Sequence, residues 1–419
     1  MQETIFTYAA PRLKFGPGAS HEIAHEAQTL GARRVLIVTD AGVAATGHPA
    51  RIAEELTESG CEVEVFEDTH VEPTDESMES AISWAREHGP FDLILAIGGG
   101  SSIDTAKAVN LLTTNPGSLM DYLNAPVGQG RAPSEPLLPL IAVPTTTGTG
   151  AESTTVCVLD VLSLNVKTGI SHALLRPTVA VIDPDLTMTQ PAGVTAAAGL
   201  DILCHALESY TARPYTAYER KAPEARVPYC GANPIADVFC EKAIGLLAGS
   251  FRRAFRDGDD AQARQDMALA ATLAGMGFGN AGVHIPHANA YPIAGNVREF
   301  RPDGYPGEEP LVPHGMAVAL TAPAAFTLTY PGAPERHERL AGLLSGGRVP
   351  EGSGEAALPQ VIGELMTDLG VPTRLGDVGY DAGDIDTLVE GALRQQRLLA
   401  TAPLDVGAPE LEQVFRNSL

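Results

Sequence analysis

Cysteine is scarce in this 419-residue chain. The five present, Cys61, Cys157, Cys204, Cys230 and Cys240, are odd in number, far apart and in no CxxC pattern. That spacing argues against a disulfide framework and against a thiolate metal site, and the five read as buried or neutral thiols. Positive charge is short too. Against 52 Asp and Glu stand 28 Lys and Arg, a formal charge of −24, which opposes binding to nucleic acid or to an anionic membrane surface. No apolar run is long enough to span a bilayer. The opening MQETIFTYAAPRLKFGPG lacks the basic start and apolar core of a signal peptide, and the expectation drawn from it is a cytoplasmic location. What the chain does have is length for about two domains, and 44% apolar residues to fill their cores.

The first half alternates. Residues 5 to 18 read as a short strand and a turn; ARRVLIVTD (32 to 40), CEVEVFED (61 to 68) and FDLILAIGGG (91 to 100) read as strands, with helices at 48 to 60 and 75 to 89 between them. A further buried strand lies in LLPLIAVPTTTGTGAESTT (137 to 155), and PTVAVIDPDLT (177 to 187) closes the pattern. Strands alternating with helices predict a parallel sheet covered on both faces, with ligands beyond the carboxyl ends of its strands. GGGSSIDTAKA (98 to 108) sits at such an end, as glycines running into a helix start. There the backbone can approach a diphosphate closely and offer it unpaired N–H groups. The spacing is not GxGxxG. Asp104 and Lys107 on that helix suit a cofactor or the fold. Asp40, at the tip of an earlier strand, suits ribose hydroxyls and would repel a 2′-phosphate, favouring NAD over NADP; a turn or cap role accounts for it equally well. Thr145, Thr146, Thr147 and Thr149, around Gly148 and Gly150, make a hydroxyl-lined turn at another strand end.

Near Pro184 and Gln190-Pro191 the character changes. Segments from VTAAAGLDILCHALESYT to AGDIDTLVEGALRQQRLLA carry the apolar period of helices, with loops at 212 to 232, 296 to 311 and 345 to 356. The expected organisation is an α/β domain over 1–190 and an all-helical domain over 191–419. In AAAGLDILCHALESYT, Asp201 and His205 are four residues apart and leave one helical face. A carboxylate and an imidazole so placed can hold a divalent ion, iron or zinc rather than calcium, although such pairs also occur on plain surfaces. His284 and His287 in GVHIPHANAYPIAG and His314 in PLVPHGMAV stand in apolar, Gly- and Pro-marked contexts. Spacing alone does not choose between His284 and His287.

Six segments, GGGSSIDTAKA, VPTTTGTGAES, RPTVAVIDPDLT, GLDILCHALESYT, FGNAGVHIPHANAYPIAG and PHGMAVAL, follow one another in this order between residues 98 and 320. Together they resemble the iron-containing, group III alcohol dehydrogenase family. The resemblance implies a Rossmann-like dinucleotide-binding domain followed by a helical metal-binding domain, a divalent metal (Fe2+, with Zn2+ the substitute), NAD, and at least a homodimer. It implies Asp201, His205, His287 and His314 as metal ligands. It would have Asp40, Gly98, Gly99, Gly100, Ser101, Asp104, Thr145, Thr146, Thr149 and Lys167 line the NAD site. His284 becomes a pocket or structural residue near the metal. Tyr291 stands where the family commonly has a histidine near the nicotinamide, and tyrosine can still donate a hydrogen bond. His284 and Tyr291 are therefore the candidates to assist the reaction.

Tyr291, the insert TARPYTAYERKAPEARVPYCGANPIAD (211 to 237) and AGVHIPHANAYPIAG are most similar to the hydroxyacid-oxoacid transhydrogenase branch. Its members oxidise 4-hydroxybutyrate and reduce 2-oxoglutarate with the nicotinamide retained. In the insert, Arg213, Lys221 and Arg226 are candidates to meet a substrate carboxylate, or else solvated loop charges. The rival within the family is an ordinary dehydrogenase of alcohols or aldehydes with exchangeable NAD. Outside it stands the related fold of glycerol-1-phosphate dehydrogenase and dehydroquinate synthase, whose ligand pattern differs.

Overall fold

The computed structural model describes residues 1–419 except 165, 227, 303, 304, 306–309 and 349–353. Parts of the loops expected at 212–232, 296–311 and 345–356 thus lie outside the described residues. Two compact units emerge, Ala10–Thr189, and Gln190–Leu419 together with Met1–Ala9.

The first unit is built on a six-stranded parallel sheet. Its strands are β1 (Arg12–Phe15), β2 (Arg34–Val38), β3 (Glu62–Phe66), β4 (Leu93–Gly98), β5 (Leu140–Pro144) and, after a hairpin, β8 (Val179–Ile182), in the spatial order β1-β8-β5-β4-β2-β3. Runs such as VLIV, LILAIG and LIAVP are apolar at every position because both faces are covered. Alternate residues feed separate cores: Leu36, Val38, Ile94 and Ala96 pack on one side, and Val35, Ile37, Leu93, Leu95 and Ile97 on the other. The chain moves outward from β2 to β3, then returns to lay β4 on the opposite side of β2, so the strand order reverses between β2 and β4. Crevices for ligands open at such a reversal. Asp40 follows the end of β2 there, and Gly98 ends β4.

An antiparallel hairpin, β6 (Val156–Val161) and β7 (Val166–Ser171), was not legible in the sequence. Its strands carry Asp, Lys, Thr and Gly among their apolar residues, so the strand period is weak. Lys107 anchors it. This fully buried ammonium donates to the carbonyls of Ala151 (2.8 Å) and Val156 (2.7 Å) and to the Thr154 hydroxyl (3.1 Å).

The second unit is helical. Its longest helices are Ala192–Thr211, Pro234–Arg256, Ala261–Ala281 and His314–Thr329, with shorter ones at Pro334–Leu344, Ala357–Asp368 and Ile385–Leu393. Two further helices, Ile285–Gly295 and Ala408–Asn417, went unpredicted. The first carries Pro286 and Pro292 and is buried nearly all round, so it shows no amphipathic stripe. Residues Met1–Ala9 join this unit: Asn280 brackets Ala9 through both backbone groups at 3.0 Å, and Arg226 pairs with Glu3 at 2.8 Å. Among the described residues no helix is long and apolar enough to cross a membrane.

Candidate metal centre and dinucleotide site

The metal candidates all lie in the helical unit. Asp201 and His205 sit one turn apart on the helix Ala192–Thr211, in which the alanines Ala196–Ala198 favour helix and most side chains are buried. His287 occupies the first turn of Ile285–Gly295, and His314 opens His314–Thr329 immediately after Pro313. Around the Asp201 Oδ1 oxygen stand the Nε2 atoms of His287 at 3.4 Å, His205 at 3.6 Å and His314 at 3.8 Å. Ligand atoms of Asp201, His287 and His314 all fall within 4.8 Å of one another. His205 reaches the same carboxylate oxygen from a ring stacked between Phe278 (3.9 Å between centroids) and His287 (4.5 Å).

Asp201 Oδ1 and His287 Nε2 are buried and have no hydrogen-bond partner in the protein. Leaving such groups unsatisfied is costly, and a divalent cation satisfies both at once. One carboxylate with three imidazoles is a donor set for iron or zinc. The residues present therefore fit a divalent metal.

The electrostatics follow from burial and neighbours. Burial opposes the Asp201 anion, but His205, His314 and His287 outweigh it and hold its carboxyl well below the usual range. Burial pushes His205 down to about 3. It acts on His287 as well, yet there the Glu208 and Asp201 carboxylates prevail and raise the group to about 9. His314 is the most open of the four, its side chain 29% exposed, and Tyr291 stands beside it with ring centroids 6.4 Å apart.

His284 lies deeper in the core. It has no exposed surface; its Nε2 lies 3.0 Å from the Thr211 hydroxyl, and burial pushes it down to about 4. A side chain sealed in this way presents no face to solvent. Sequence reasoning missed Glu208. It lies three residues after His205 and seven after Asp201, on the same helical face, which was the available signal. It also missed Phe278 beneath His205.

In the α/β unit, the glycines after β4 start the helix Gly100–Thr114, which no side chain caps. Its first N–H groups have no acceptor within the helix, an arrangement that suits an anion. The loop after β5 crosses close by: a Cβ on Gly99 would lie 3.2 Å from Thr146 Oγ1, and one on Gly100 2.7 Å from Thr149 Cγ2. The hydroxyl of Thr145 is buried without a partner. Asp40 caps its own short helix, accepting from Val43 N at 3.0 Å, and accepts from Ser102 Oγ at 3.1 Å. Ser101 Oγ accepts from Glu72 N at 3.2 Å. Two of the expected cofactor residues have partners within this unit. Asp104 accepts from Val158 N at 2.9 Å and lies 3.5 Å from Lys107, tying the helix to β6. Lys167 is paired with Glu72 and Asp160, both at 2.8 Å; the two carboxylates outweigh burial and raise its pKa.

Of the carboxylate-binding candidates in the insert, Arg226 is held by Glu3, and Arg213 reaches Asp405 at 2.6 Å. Lys221 lies over the Tyr218 ring, 5.9 Å from its centroid. The two arginines serve as ties within the helical unit.

Comparison with known proteins agrees with this architecture. Residues 10–184 match the model of the iron-containing alcohol dehydrogenases, and residues 195–419 match the C-terminal model of the same family. The mitochondrial hydroxyacid-oxoacid transhydrogenase of Bos taurus is 41% identical, over 99% of this chain and 90% of its own length. A 1,3-propanediol oxidoreductase superposes with a TM-score of 0.85 at 30% identity, covering 99% of this chain and all of its own. A sulfoacetaldehyde reductase from Bifidobacterium kashiwanohense, solved with NAD+, superposes at 0.80 with 25% identity, covering 99% and 98%. The names of the curated relatives overturn one expectation. They are mitochondrial proteins similar over nearly the whole chain, so the cytoplasmic location inferred from the first eighteen residues does not stand. Matched along nearly its full length by both models, and alike in fold to solved members, the chain is an oxidoreductase that belongs to the iron-containing alcohol dehydrogenase family.

Proposed function

We propose that this protein moves a hydride between small hydroxyacids and oxoacids through NAD, as a hydroxyacid-oxoacid transhydrogenase, with ferrous iron as its metal. The observation that carries the metal reading is the buried, partnerless Asp201 Oδ1 ringed by three imidazole nitrogens at 3.4 to 3.8 Å. The substrate class is supported by 41% identity to transhydrogenases over nearly the entire chain.

Asp201, His205, His287 and His314 would hold the ion, and one carboxylate with three neutral imidazoles leaves it a net positive charge. Bound there, a divalent metal supplies a Lewis acid that favours the deprotonated alcohol or polarises a carbonyl. The protein's own residues do the rest. The helix start at Gly99–Ser101 offers N–H groups to a diphosphate, and the hydroxyls of Thr145, Thr146 and Thr149 flank it. Tyr291, beside the most open ligand, is the group to donate a hydrogen bond to the substrate oxygen. Asp104 and Lys167 hold the walls of the dinucleotide site.

The test is anaerobic. Protein loaded with ferrous iron is given 4-hydroxybutyrate and 2-oxoglutarate without nicotinamide, then 4-hydroxybutyrate with NAD alone. Turnover without added cofactor is the expected result. Turnover only with NAD would replace the proposal by an ordinary dehydrogenase with exchangeable cofactor.

The role of Asp40 has its own test. Asn caps a helix about as well as Asp, whereas loss of a cap altogether costs about 1 kcal/mol. Asp40→Asn should keep the thermal midpoint, remove the negative charge, and let a 2′-phosphorylated dinucleotide bind. If NADP(H) binding, followed by fluorescence, is as weak as in the unaltered protein, Asp40 does not select the dinucleotide.

A further inference from the structure

Behind the metal ligands lies a buried carboxylate that the reaction does not use directly. Glu208 has no exposed surface, and three donors converge on it. The backbone N–H of His284 donates to Oε2 at 2.6 Å, that of His287 to the same oxygen at 3.4 Å, and the ring Nδ1 of His287 lies 2.6 Å from Oε1. Burial opposes this anion, but the neighbouring His287 and His284 outweigh it and keep the group below its ordinary value. The two backbone donors belong to the start of Ile285–Gly295, whose first N–H groups have no partner within the helix. Glu208 thus anchors, from another helix, the turn that carries His287.

We infer that Glu208 is a positioning residue which, by accepting the Nδ1–H of His287, fixes the tautomer and leaves the Nε2 lone pair for the metal. The inference rests on the metal-centre reading above. A carboxylate has lone pairs for three donors; an amide has a single acceptor oxygen. In Glu208→Gln the side chain keeps its shape. If its oxygen faces the backbone N–H groups, its NH2 meets Nδ1 and drives the ring proton to Nε2, where it blocks the metal. If its oxygen faces Nδ1, its NH2 collides with two N–H donors and the turn shifts. Either outcome spoils the ligand without emptying the core. Outer partners of ligating histidines typically contribute 10- to 100-fold in metal affinity.

The experiment measures zinc affinity of the full-length protein by chelator competition, with unaltered protein, Glu208→Gln and His287→Ala side by side. On the zinc-loaded unaltered protein it also observes the ring N–H of His287 by 15N NMR. The expected results are a 10- to 100-fold weaker affinity for Glu208→Gln and, in the unaltered protein, an exchange-protected proton on Nδ1. Equal affinity in the Gln variant, or no protected proton on Nδ1, would overturn the role of Glu208. Because the NMR observation needs no variant, the outcome stands even if Glu208→Gln fails to fold. Failure of the metal-centre reading looks different, as the unaltered protein would then bind zinc no better than His287→Ala.

Discussion

Replacing His287 with alanine is expected to empty the metal centre and reduce turnover by on the order of 10³-fold or more. A metal acting as Lewis acid supplies several kcal/mol of transition-state stabilisation, and each 1.36 kcal/mol is about tenfold in rate. His287 is where the loss should be sharpest, because its Nε2 is the imidazole nitrogen nearest to Asp201 Oδ1, at 3.4 Å. His284→Ala is the matched control. It is only three residues away, yet its bond to Glu208 comes from the backbone N–H, which alanine retains. That variant should keep one metal per chain and lose about 3 kcal/mol of stability from the vacated core volume. Metal content by elemental analysis separates the two. A metal-free His284→Ala beside a metal-loaded His287→Ala would show that the wrong histidine had been chosen.

Gly315→Ala should be nearly as damaging, although glycine 315 bears no ligand. A Cβ there would lie 1.9 Å from the Ala197 carbonyl oxygen and 2.9 Å from the Asp201 Cβ. The first obstacle is backbone and the second is the root of a ligand side chain, so no rotation of a flexible group relieves the clash. The helices Ala192–Thr211 and His314–Thr329 must separate, carrying His314 away from Asp201. Overpacking costs about 1–3 kcal/mol where neighbours can adjust, and the upper end or beyond is expected here. The measurement pairs thermal unfolding with metal content. Gly342→Ala serves as the comparison: nothing lies within 4 Å of its Cβ position, so the midpoint should hold or rise. An unchanged midpoint and full metal occupancy in Gly315→Ala would mean that the two helices do not approach this closely.

Much of this protein was determined by sequence alone. The parallel sheet was legible because strands buried on both faces are apolar throughout, and the large helices because their apolar residues recur at helical spacing. The ligand candidates stood out because histidine and aspartate are rare in apolar surroundings without a task, and six ordered motifs carried the family. The first-turn position of His287 and the helix around it were not legible, since a segment buried on all sides has no period to read. Nor was the assignment of partners. Asp104, Lys167, Arg213 and Arg226 looked available for ligands, and each proved to be held by a group 54 to 223 residues away. Long-range pairing of this kind leaves no local trace in a chain. The same holds for Glu208 and Gly315: which atoms lie behind His287, and how closely two helices may pass, depend on side chains and backbone brought together only when the core has packed.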